Sequence, residues 1–323
     1  MNGHLLEIQD LKKRYPLHGG GFFGPKRNMY AVDGLSLFID EGETYGLVGE
    51  SGCGKSTTGR VIVGLAKADG GSVIYGGKDI CKMSEKEFRP LRKEVQMVFQ
   101  NSLSALNPRQ RIGDILDEIL AVHGMADPGQ RRERVLDTLQ KVGLLEEHYF
   151  RFPHELSGGQ VQRLGIASAL IIGPKLIVCD EPVSALDVSI QAQILNMLME
   201  LKQELRLSLL FISHDIGVIR FISDRIGVMY LGTLVEEADT ETLFQKPLHP
   251  YTRTLLAAVP DPYLKGREFQ ALEGEQPVRT EEFVGCAFRS RCPYAQQRCA
   301  KERPELKEIG LGHKAACHFI KEG

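Results

Sequence analysis

The pattern of apolar and polar positions predicts buried strands that alternate with helices. The short runs Leu176–Cys179 and Leu209–Ile212 are apolar at every position, which is typical of parallel strands buried on both faces. Between them, apolar residues recur at helical spacing over Gln191–Leu205, which predicts a crossover helix. A third apolar run, Thr44–Val48, leads through a glycine-rich turn into a predicted helix over Lys55–Leu65. The pattern therefore predicts an α/β fold.

The rest of the chain divides into an early strand region, a helical region and a proline-rich tail. Leu5, Ile8 and Leu11 open a first strand, and alternation over Leu35–Ile39 predicts a second. The basic, glycine-rich segment Leu17–Asn28 between them is interpreted as an exposed hairpin tip without an assigned function. We predict a helical region over Ile112–Ile172.

Prolines stand at positions 247, 250, 260 and 262, after the apolar pair Leu243 and Phe244. We therefore place a boundary near Gln245, which predicts a main domain over 1–245, with a helical subdomain at about 101–173, and a small C-terminal domain over 246–323.

Composition narrows the function classes. The 323 residues carry 40 Lys and Arg against 42 Asp and Glu, a formal charge of −2, so the overall charge does not indicate a nucleic-acid partner. No apolar run approaches the roughly 18 residues of a membrane-spanning helix, and the N-terminus lacks the pattern of a secretory signal. We therefore expect a cytoplasmic location.

The turn after Thr44–Val48 has the spacing of a phosphate-binding loop. Residues 49–56 read Gly-Glu-Ser-Gly-Cys-Gly-Lys-Ser, which matches G-x4-G-K-[ST] between a strand and a helix. The glycines let backbone N–H groups approach a polyphosphate, Lys55 adds a positive charge, and Ser56 would coordinate Mg²⁺. We expect nucleotide contacts from Gly49, Ser51, Gly52, Cys53, Gly54, Lys55, Ser56 and Thr57.

Polar residues follow the two later strands. Asp180 and Glu181 end one strand, and His214 ends the next within Ser-His-Asp. Ligands of open α/β sheets bind beyond the carboxyl ends of the strands, so we expect these groups to converge on the phosphates. Asp180 would hold Mg²⁺, Glu181 would polarise the attacking water, and His214 would donate to the γ-phosphate. A capping acid pair and a structural histidine are the alternatives.

The segment Leu156–Gln160 reads LSGGQ and precedes a helical run. With the phosphate loop before it and Asp180-Glu181 after it, the chain resembles the ABC-type ATPases over residues 5–245. The resemblance implies a parallel sheet core with an antiparallel β-subdomain and a helical subdomain. It also implies a head-to-tail dimer, in which Ser157 and Gly159 contact the γ-phosphate of ATP bound to the partner.

Further roles follow from the same resemblance. Gln100 is similar to the glutamine of that family that senses Mg²⁺ and the membrane partner, and residues 184–187, which include Asp187, resemble its interface loop. Tyr15 is similar to the aromatic residue that stacks on adenine, with a surface tyrosine as the alternative. Val161 and Ser168 stand where the family often carries arginine, and neither change removes a phosphate ligand.

The C-terminal part concentrates four of the seven cysteines, at Cys286, Cys292, Cys299 and Cys317. Their spacings exceed those of zinc knuckles, and a cysteine followed by proline is found in iron–sulfur ligation, so iron–sulfur, zinc and small core residues stay open. Nearby basic residues are interpreted as a solvated face: Arg289, Arg291, Arg298, Lys301 and Arg303.

This tail, with the preceding segment 249–256, resembles that of ATPase subunits from oligopeptide and dipeptide importers, and the resemblance implies a [4Fe–4S] cluster. It further implies an ATP-hydrolysing motor at the cytoplasmic face of the cell membrane. The expected partners are a second related ATPase, two permease subunits and an extracytoplasmic substrate-binding protein, without nucleic acid.

Two rival hypotheses remain from the sequence. A soluble ABC ATPase that acts on DNA or ribosomes would carry a coiled-coil insertion or two fused ATPase halves, and neither pattern occurs here. The cysteine-rich tail would alternatively serve as a redox or iron-sensing module that regulates the motor. The cargo is not encoded in this chain, because the resemblance assigns specificity to other subunits.

Overall fold

The computed structural model describes residues 3–17, 27–257, 279–280 and 283–320. Their strands are β1 (Leu6–Leu17), β2 (Arg27–Ile39), β3 (Thr44–Val48), β4 (Gly70–Tyr75), β5 (Lys78–Asp79), β6 (Val95–Val98), β7 (Leu176–Asp180), β8 (Ser208–Ser213), β9 (Arg225–Tyr230), β10 (Thr233–Asp239), β11 (Lys307–Gly310) and β12 (His313–Ala315). The strands predicted from the apolar runs are therefore present.

The helices of the described residues are α1 (Lys55–Ile62), α2 (Glu85–Phe88), α3 (Ile112–Val122), α4 (Pro128–Lys141), α5 (Gly158–Leu170), α6 (Val188–Leu205), α7 (Ile216–Ile222), α8 (Thr240–Gln245), α9 (Pro250–Ala257) and α10 (Gln297–Lys301). Short 3₁₀ turns join several of them. No helix within the described ranges is long and apolar enough to cross a membrane.

Two compact units make up the chain. The first takes its described residues from Met1–Ile39, Thr44–Cys81 and Ser213–Gly323, and the second from Asp40–Glu43 and Lys82–Ile212.

In the first unit, an antiparallel sheet has the order β2-β1-β4-β5. The long pair β1–β2 runs from Leu6 opposite Ile39 to Leu17 opposite Arg27. A further set of strands in this unit pairs β3 in parallel with β9, and β9, β10, β12 and β11 follow one another antiparallel.

In the second unit, β6, β7 and β8 form parallel pairs in that order. Every residue of β7 and β8 is buried, as their continuous apolar sequence predicts. The crossover helix α6 begins at Val188, three residues before the predicted start, because Asp187 caps it by accepting a hydrogen bond from Ile190 N (3.0 Å).

One predicted helix needed correction. The helix predicted over Lys55–Leu65 ends at Ile62, where Gly64 adopts a left-handed φ of +73°. The helical region over Ile112–Ile172 is three separate helices joined by short turns. Most of the predicted hairpin tip, residues 18–26, lies outside the described residues.

The described C-terminal residues 283–320 belong to the first unit. The buried carboxylate of Glu236 on β10 contacts both this segment and the start of the segment before it. It accepts hydrogen bonds from the N–H groups of Leu248 (2.7 Å) and His249 (2.8 Å), and His313 Nε2 lies 2.7 Å from it. Burial lowers the pKa of His249 to about 4. This imidazole is therefore neutral at neutral pH, and its Nδ1 accepts the N–H of Tyr251 (3.1 Å). The domain boundary near Gln245 stays a prediction.

Candidate nucleotide site

The phosphate loop follows β3 directly and ends where α1 begins. Two of its glycines are required by close approach of other backbone. A Cβ at Gly49 would overlap the carbonyl oxygen of Met229, and a Cβ at Gly54, whose φ is +106°, would overlap that of Ala31. The loop is thus pressed against neighbouring chain, and only glycine fits at these two positions.

Lys55 lies inside this loop with 3% of its surface exposed. Its Nζ donates hydrogen bonds to the carbonyl oxygens of Gly49 (2.6 Å) and Glu50 (3.0 Å), and it lies 3.6 Å from Cys53 Sγ. Burial raises the pKa of the Cys53 thiol, so this side chain stays neutral beside the ammonium. The loop therefore holds a buried positive charge at its centre.

The first turn of α1 has an unusual N-terminus. Gly54 at the cap position supplies no side chain, and no side-chain hydrogen bond closes the helix. The first N–H groups of a helix lack partners within the helix, and the helix dipole places partial positive charge there. With Ser56 and Thr57 half-buried in this turn, the arrangement is suited to polyphosphate oxygens.

The second unit brings Gln100, Glu181 and Ser184 together. Gln100 Nε2 donates to Glu181 Oε2 (3.0 Å) and to Ser184 Oγ (3.4 Å). Glu181 has a left-handed φ of +47°, and its N–H donates to Ile212 O (2.9 Å). Such backbone strain in a residue other than glycine is concentrated at functional sites. The turn after β7 directs the Glu181 carboxylate towards Gln100, a contact that the sequence analysis did not predict.

Asp180 ends β7 as a buried carboxylate with 4% exposure. The oxygen donors of Asp180, Gln100 and Ser56 have the chemistry that Mg²⁺ prefers. The phosphate loop and the exposed His214 belong to the first unit, whereas Gln100, Asp180 and Glu181 belong to the second. The convergence of the three strand ends, and the roles assigned there, stay predictions.

The LSGGQ segment ends at the start of α5, where Ser157 forms a complete capping box. Ser157 Oγ accepts the N–H of Gln160 (3.4 Å), and the Gln160 side chain accepts the N–H of Ser157 (2.9 Å). A Cβ at Gly159 would lie 2.6 Å from Ile190 Cγ2, so this glycine allows α5 and α6 to pack closely. The serine hydroxyl still has a proton to donate.

Tyr15 and Asp187 complete the predicted nucleotide contacts. Tyr15 is half-buried on β1, and Lys13 Nζ lies 5.3 Å from the centre of its ring. Asp187 is exposed and caps α6. Their contacts with a nucleotide or a partner chain stay predictions.

Four cysteines of the first unit line one cavity of about 490 Å³, which we call the four-thiol pocket: Cys286, Cys292, Cys299 and Cys317. The pKa of Cys286 is raised to about 11, chiefly by burial and also by the other three cysteines, because neighbouring thiolates would repel. Burial also raises the pKa of Cys292. Four deprotonated thiols in this pocket would therefore need a bound cation among them.

In the part of the chain that the structure describes, no group of three or more His, Cys, Asp or Glu side chains is placed to hold a metal ion. Thiols ligate iron–sulfur clusters, and these four cysteines share one cavity. The cluster itself stays a prediction.

The predicted solvated face of five basic residues is wrong at Arg291. Its side chain is only 6% exposed and forms a bidentate ion pair with Glu50 of the phosphate loop (2.7 and 3.1 Å). This pair, and the hydrogen bond from Glu50 N to Tyr251 Oη (2.9 Å), were missed by sequence reasoning. The only local signal was an arginine directly before Cys292. Arg298 and Arg303 are exposed, as predicted.

Two family models match parts of this chain. Residues 32–184 match the family described as ABC transporter, and residues 235–299 match the oligopeptide/dipeptide transporter C-terminal region. Among solved structures, the ATP-binding cassette MJ0796 in a dimeric post-hydrolysis state with ADP and Pi is 29% identical, with a TM-score of 0.64, over 73% of this chain and 98% of that one. The cbiO1 protein of Clostridium perfringens is 26% identical, with a TM-score of 0.64, over 75% and 91%.

Curated relatives extend the similarity to the whole chain. The oligopeptide transport ATP-binding protein OppF of Escherichia coli is 51% identical over 97% of this chain and 95% of its own length. AppF of Bacillus subtilis, with the same description, is 47% identical over 98% and 97%. The dipeptide transport ATP-binding protein DppF of Escherichia coli is 45% identical over 98% and 94%. The chain therefore belongs to the ATP-binding proteins of ABC transporters, in the group that includes OppF, AppF and DppF.

Proposed function

We propose that this chain is the ATP-hydrolysing subunit of an importer for dipeptides or oligopeptides. The observation that carries the proposal is the match over nearly the full length, C-terminal region included, to oligopeptide and dipeptide transport ATP-binding proteins. The buried Lys55 in an uncapped helix turn and the Gln100–Glu181 contact support hydrolysis as its chemistry.

The residues divide the work between binding and hydrolysis. The loop from Gly49 to Thr57 binds the phosphates through backbone N–H groups and Lys55. Glu181 orients and polarises the attacking water, held in place by Gln100, and His214 donates to the γ-phosphate. Ser56, Gln100 and Asp180 would hold Mg²⁺, which would neutralise phosphate charge when bound.

Ser157 and Gly159 complete the site of a second ATPase subunit. The capping box keeps the Ser157 hydroxyl oxygen at the helix N-terminus, and its proton can be donated to a γ-phosphate presented by the partner. We propose a related but different chain as that partner, with Asp187 in the interface and Tyr15 stacked on adenine. Closure on ATP and reopening after hydrolysis would then drive two permease subunits, fed by a substrate-binding protein.

The experiment that tests this function is affinity purification of the chain from detergent-solubilised membranes, with mass spectrometry of the bound proteins. We expect two multi-spanning permeases and a second ATPase. Recovery from the soluble fraction alone, with ribosomal or DNA-repair proteins, would overturn the transport proposal and favour the rival soluble ATPase.

For the small cysteine-rich C-terminal domain, we propose a [4Fe–4S] cluster held by the four-thiol pocket. Its support is that four cysteines line one cavity, where burial and the proximity of the other three raise the pKa of Cys286. Anaerobic purification should give iron and acid-labile sulfide with visible absorption, lost in Cys292→Ser and kept in Cys81→Ser. Zinc alone, or no metal, would contradict the cluster. ATPase activity that follows cluster reduction would add a sensing role.

A further inference from the structure

Glu50 of the phosphate loop is held by three different partners in the first unit. Its N–H donates to Tyr251 Oη (2.9 Å), its carbonyl accepts from Lys55 Nζ (3.0 Å), and its carboxylate forms the bidentate pair with Arg291. Two of these partners, Tyr251 and Arg291, come from the C-terminal part of the chain. The position of the loop is therefore set partly by residues 200 or more positions away in the sequence.

Arg291 reaches the loop from a turn that begins and ends at cysteines of the four-thiol pocket. The N–H of Arg289 donates to Cys286 O (3.2 Å), and the N–H of Arg291 donates to Phe288 O (3.1 Å), just before Cys292. Phe288 itself lines the pocket. A change in the spacing of Cys286 and Cys292 would therefore move the backbone that carries the Arg291 guanidinium.

A buried aromatic cluster fixes the other side of this connection. The rings of Tyr230, Tyr251 and Phe288 pack with centroids 4.7 to 5.4 Å apart. Tyr251 and Phe288 are both buried. The Tyr251 hydroxyl accepts the N–H of Glu50, and the Phe288 carbonyl accepts the N–H of Arg291. Close packing leaves little freedom for these groups to move independently.

Given the proposed ATP-hydrolysing function, on which this inference rests, we propose that Arg291 is a positioning residue for the phosphate loop and links its nucleotide affinity to the four-thiol pocket. Its fork holds the Glu50 carboxylate in one orientation and neutralises a negative charge beside the phosphates. The Glu50 carbonyl then stays in place for Lys55. Arg291 itself contacts no phosphate.

The test measures ATP affinity and steady-state hydrolysis of the full-length chain with substitutions at both ends of the pair. Arg291→Gln should weaken ATP binding by about tenfold or more, raise KM for ATP and leave kcat nearly unchanged. Arg291→Lys keeps the charge but loses the fork, so it should fall between. The matched control is Arg298→Gln, which removes an exposed arginine that also directly precedes a cysteine, and it should bind ATP as the parent does.

The double variant Glu50→Gln with Arg291→Gln separates positioning from charge neutralisation. If Arg291 acts by positioning, Glu50→Gln alone also weakens binding, and the double variant is no weaker than the weaker single variant. Unchanged affinity in Arg291→Gln, or losses that simply add, would overturn the proposal. Circular dichroism of each variant shows that a loss of affinity is not a loss of fold.

The link to the pocket is tested by Cys292→Ser in two backgrounds. We expect weaker ATP binding in the parent and no additional loss in Arg291→Gln, whereas Cys81→Ser, outside the pocket, should change neither. Equal loss in both backgrounds would overturn the link. Failure of the proposed ATP-hydrolysing function has a different signature, because the parent chain itself would then hydrolyse no ATP.

Discussion

Two helix N-termini of this chain differ in whether a side chain caps their first N–H groups. The helix α1 begins at Lys55 without any side-chain cap, so its first N–H groups are left for phosphate oxygens. The helix α5 begins at Gly158 behind a complete capping box from Ser157 and Gln160. The first terminus has its own lysine, whereas the second offers a hydroxyl and two glycines.

The glycines show the same difference. A Cβ at Gly54 would overlap a backbone carbonyl, while a Cβ at Gly158 would make an ordinary contact, 3.6 Å from Leu186 Cδ2. The N-terminal turn of α1 is thus packed tightly against backbone of its own unit, whereas the N-terminal turn of α5 has more space at Gly158. The proposed roles fit this difference, because the terminus proposed to bind phosphate by itself is left uncapped, and the one proposed only to complete a partner's site keeps its cap and its stability.

The largest effect is expected from Glu181→Gln, which leaves both termini intact and removes only the carboxylate that polarises water. Hydrolysis should fall by about 10²–10⁴-fold with ATP retained, since general-base contributions are of this size. Phosphate release and the lifetime of the ATP-bound dimer measure the two parts. Glu200→Gln, at an exposed position of α6, is the control, and normal turnover in Glu181→Gln would refute the assigned role.

The second-largest effect is expected from removing the positive charge of Lys55 at the uncapped start of α1. Lys55→Ala should weaken ATP binding by about a hundredfold, because loss of one partner of a buried charge pair costs about 2–5 kcal/mol. Equilibrium dialysis with labelled ATP measures this loss. Lys175→Ala, whose side chain is exposed, should bind as the parent does. Retained affinity in Lys55→Ala would mean that the uncapped N–H groups suffice.

The capped terminus responds to charge in a different assay. Ser157→Asp keeps a good helix cap but places a negative charge where we expect the partner's γ-phosphate. ATP binding by the separate chain should stay within about twofold of the parent, while ATP-driven dimerisation weakens by about tenfold or more, as for unfavourable like charges. Sedimentation with ATP in a Glu181→Gln background measures the dimer. A change in ATP binding by the separate chain would break the contrast between the two termini.

The smallest effect is expected from the cap alone. Gln160→Ala removes the acceptor for Ser157 N–H and should lower the free energy of unfolding by about 1 kcal/mol. Dimerisation should stay within about twofold of the parent. Urea denaturation followed by circular dichroism measures the stability. If dimerisation falls as far as in Ser157→Asp, the capping box contributes to binding as well as to folding.

Much of the fold was predictable because its signals are local. The fully apolar runs that became β7 and β8 needed no knowledge of the rest of the chain. The end of α1 was placed three residues too late because a left-handed glycine, Gly64, outweighs continued apolar spacing. The region Ile112–Ile172 was predicted as helical without individual helix bounds, since turn residues interrupt a pattern that is helical on average.

The candidate site also has a part that local sequence signals predict and a part that they do not. The sequence placed Lys55 and its loop by spacing, and it singled out Gln100 only through resemblance to the ABC-type ATPases, without pairing it with Glu181. The structure then put those two side chains 3.0 Å apart. The burial of Arg291 could not have been predicted from its neighbours, because the five basic residues of this region, Arg291 included, look equally solvated in the sequence.

By itself, the sequence determined the strand, turn and helix around the phosphate loop, the capping box at Ser157 and the order of the catalytic motifs. These depend on hydrogen bonds and side-chain periodicity within a few residues. Only the tertiary structure decided that the arginine before Cys292 is buried against Glu50, 241 positions earlier, and that four cysteines share one cavity. Contacts at that separation depend on how distant elements pack, and the local pattern of residues does not encode which of several similar side chains will meet.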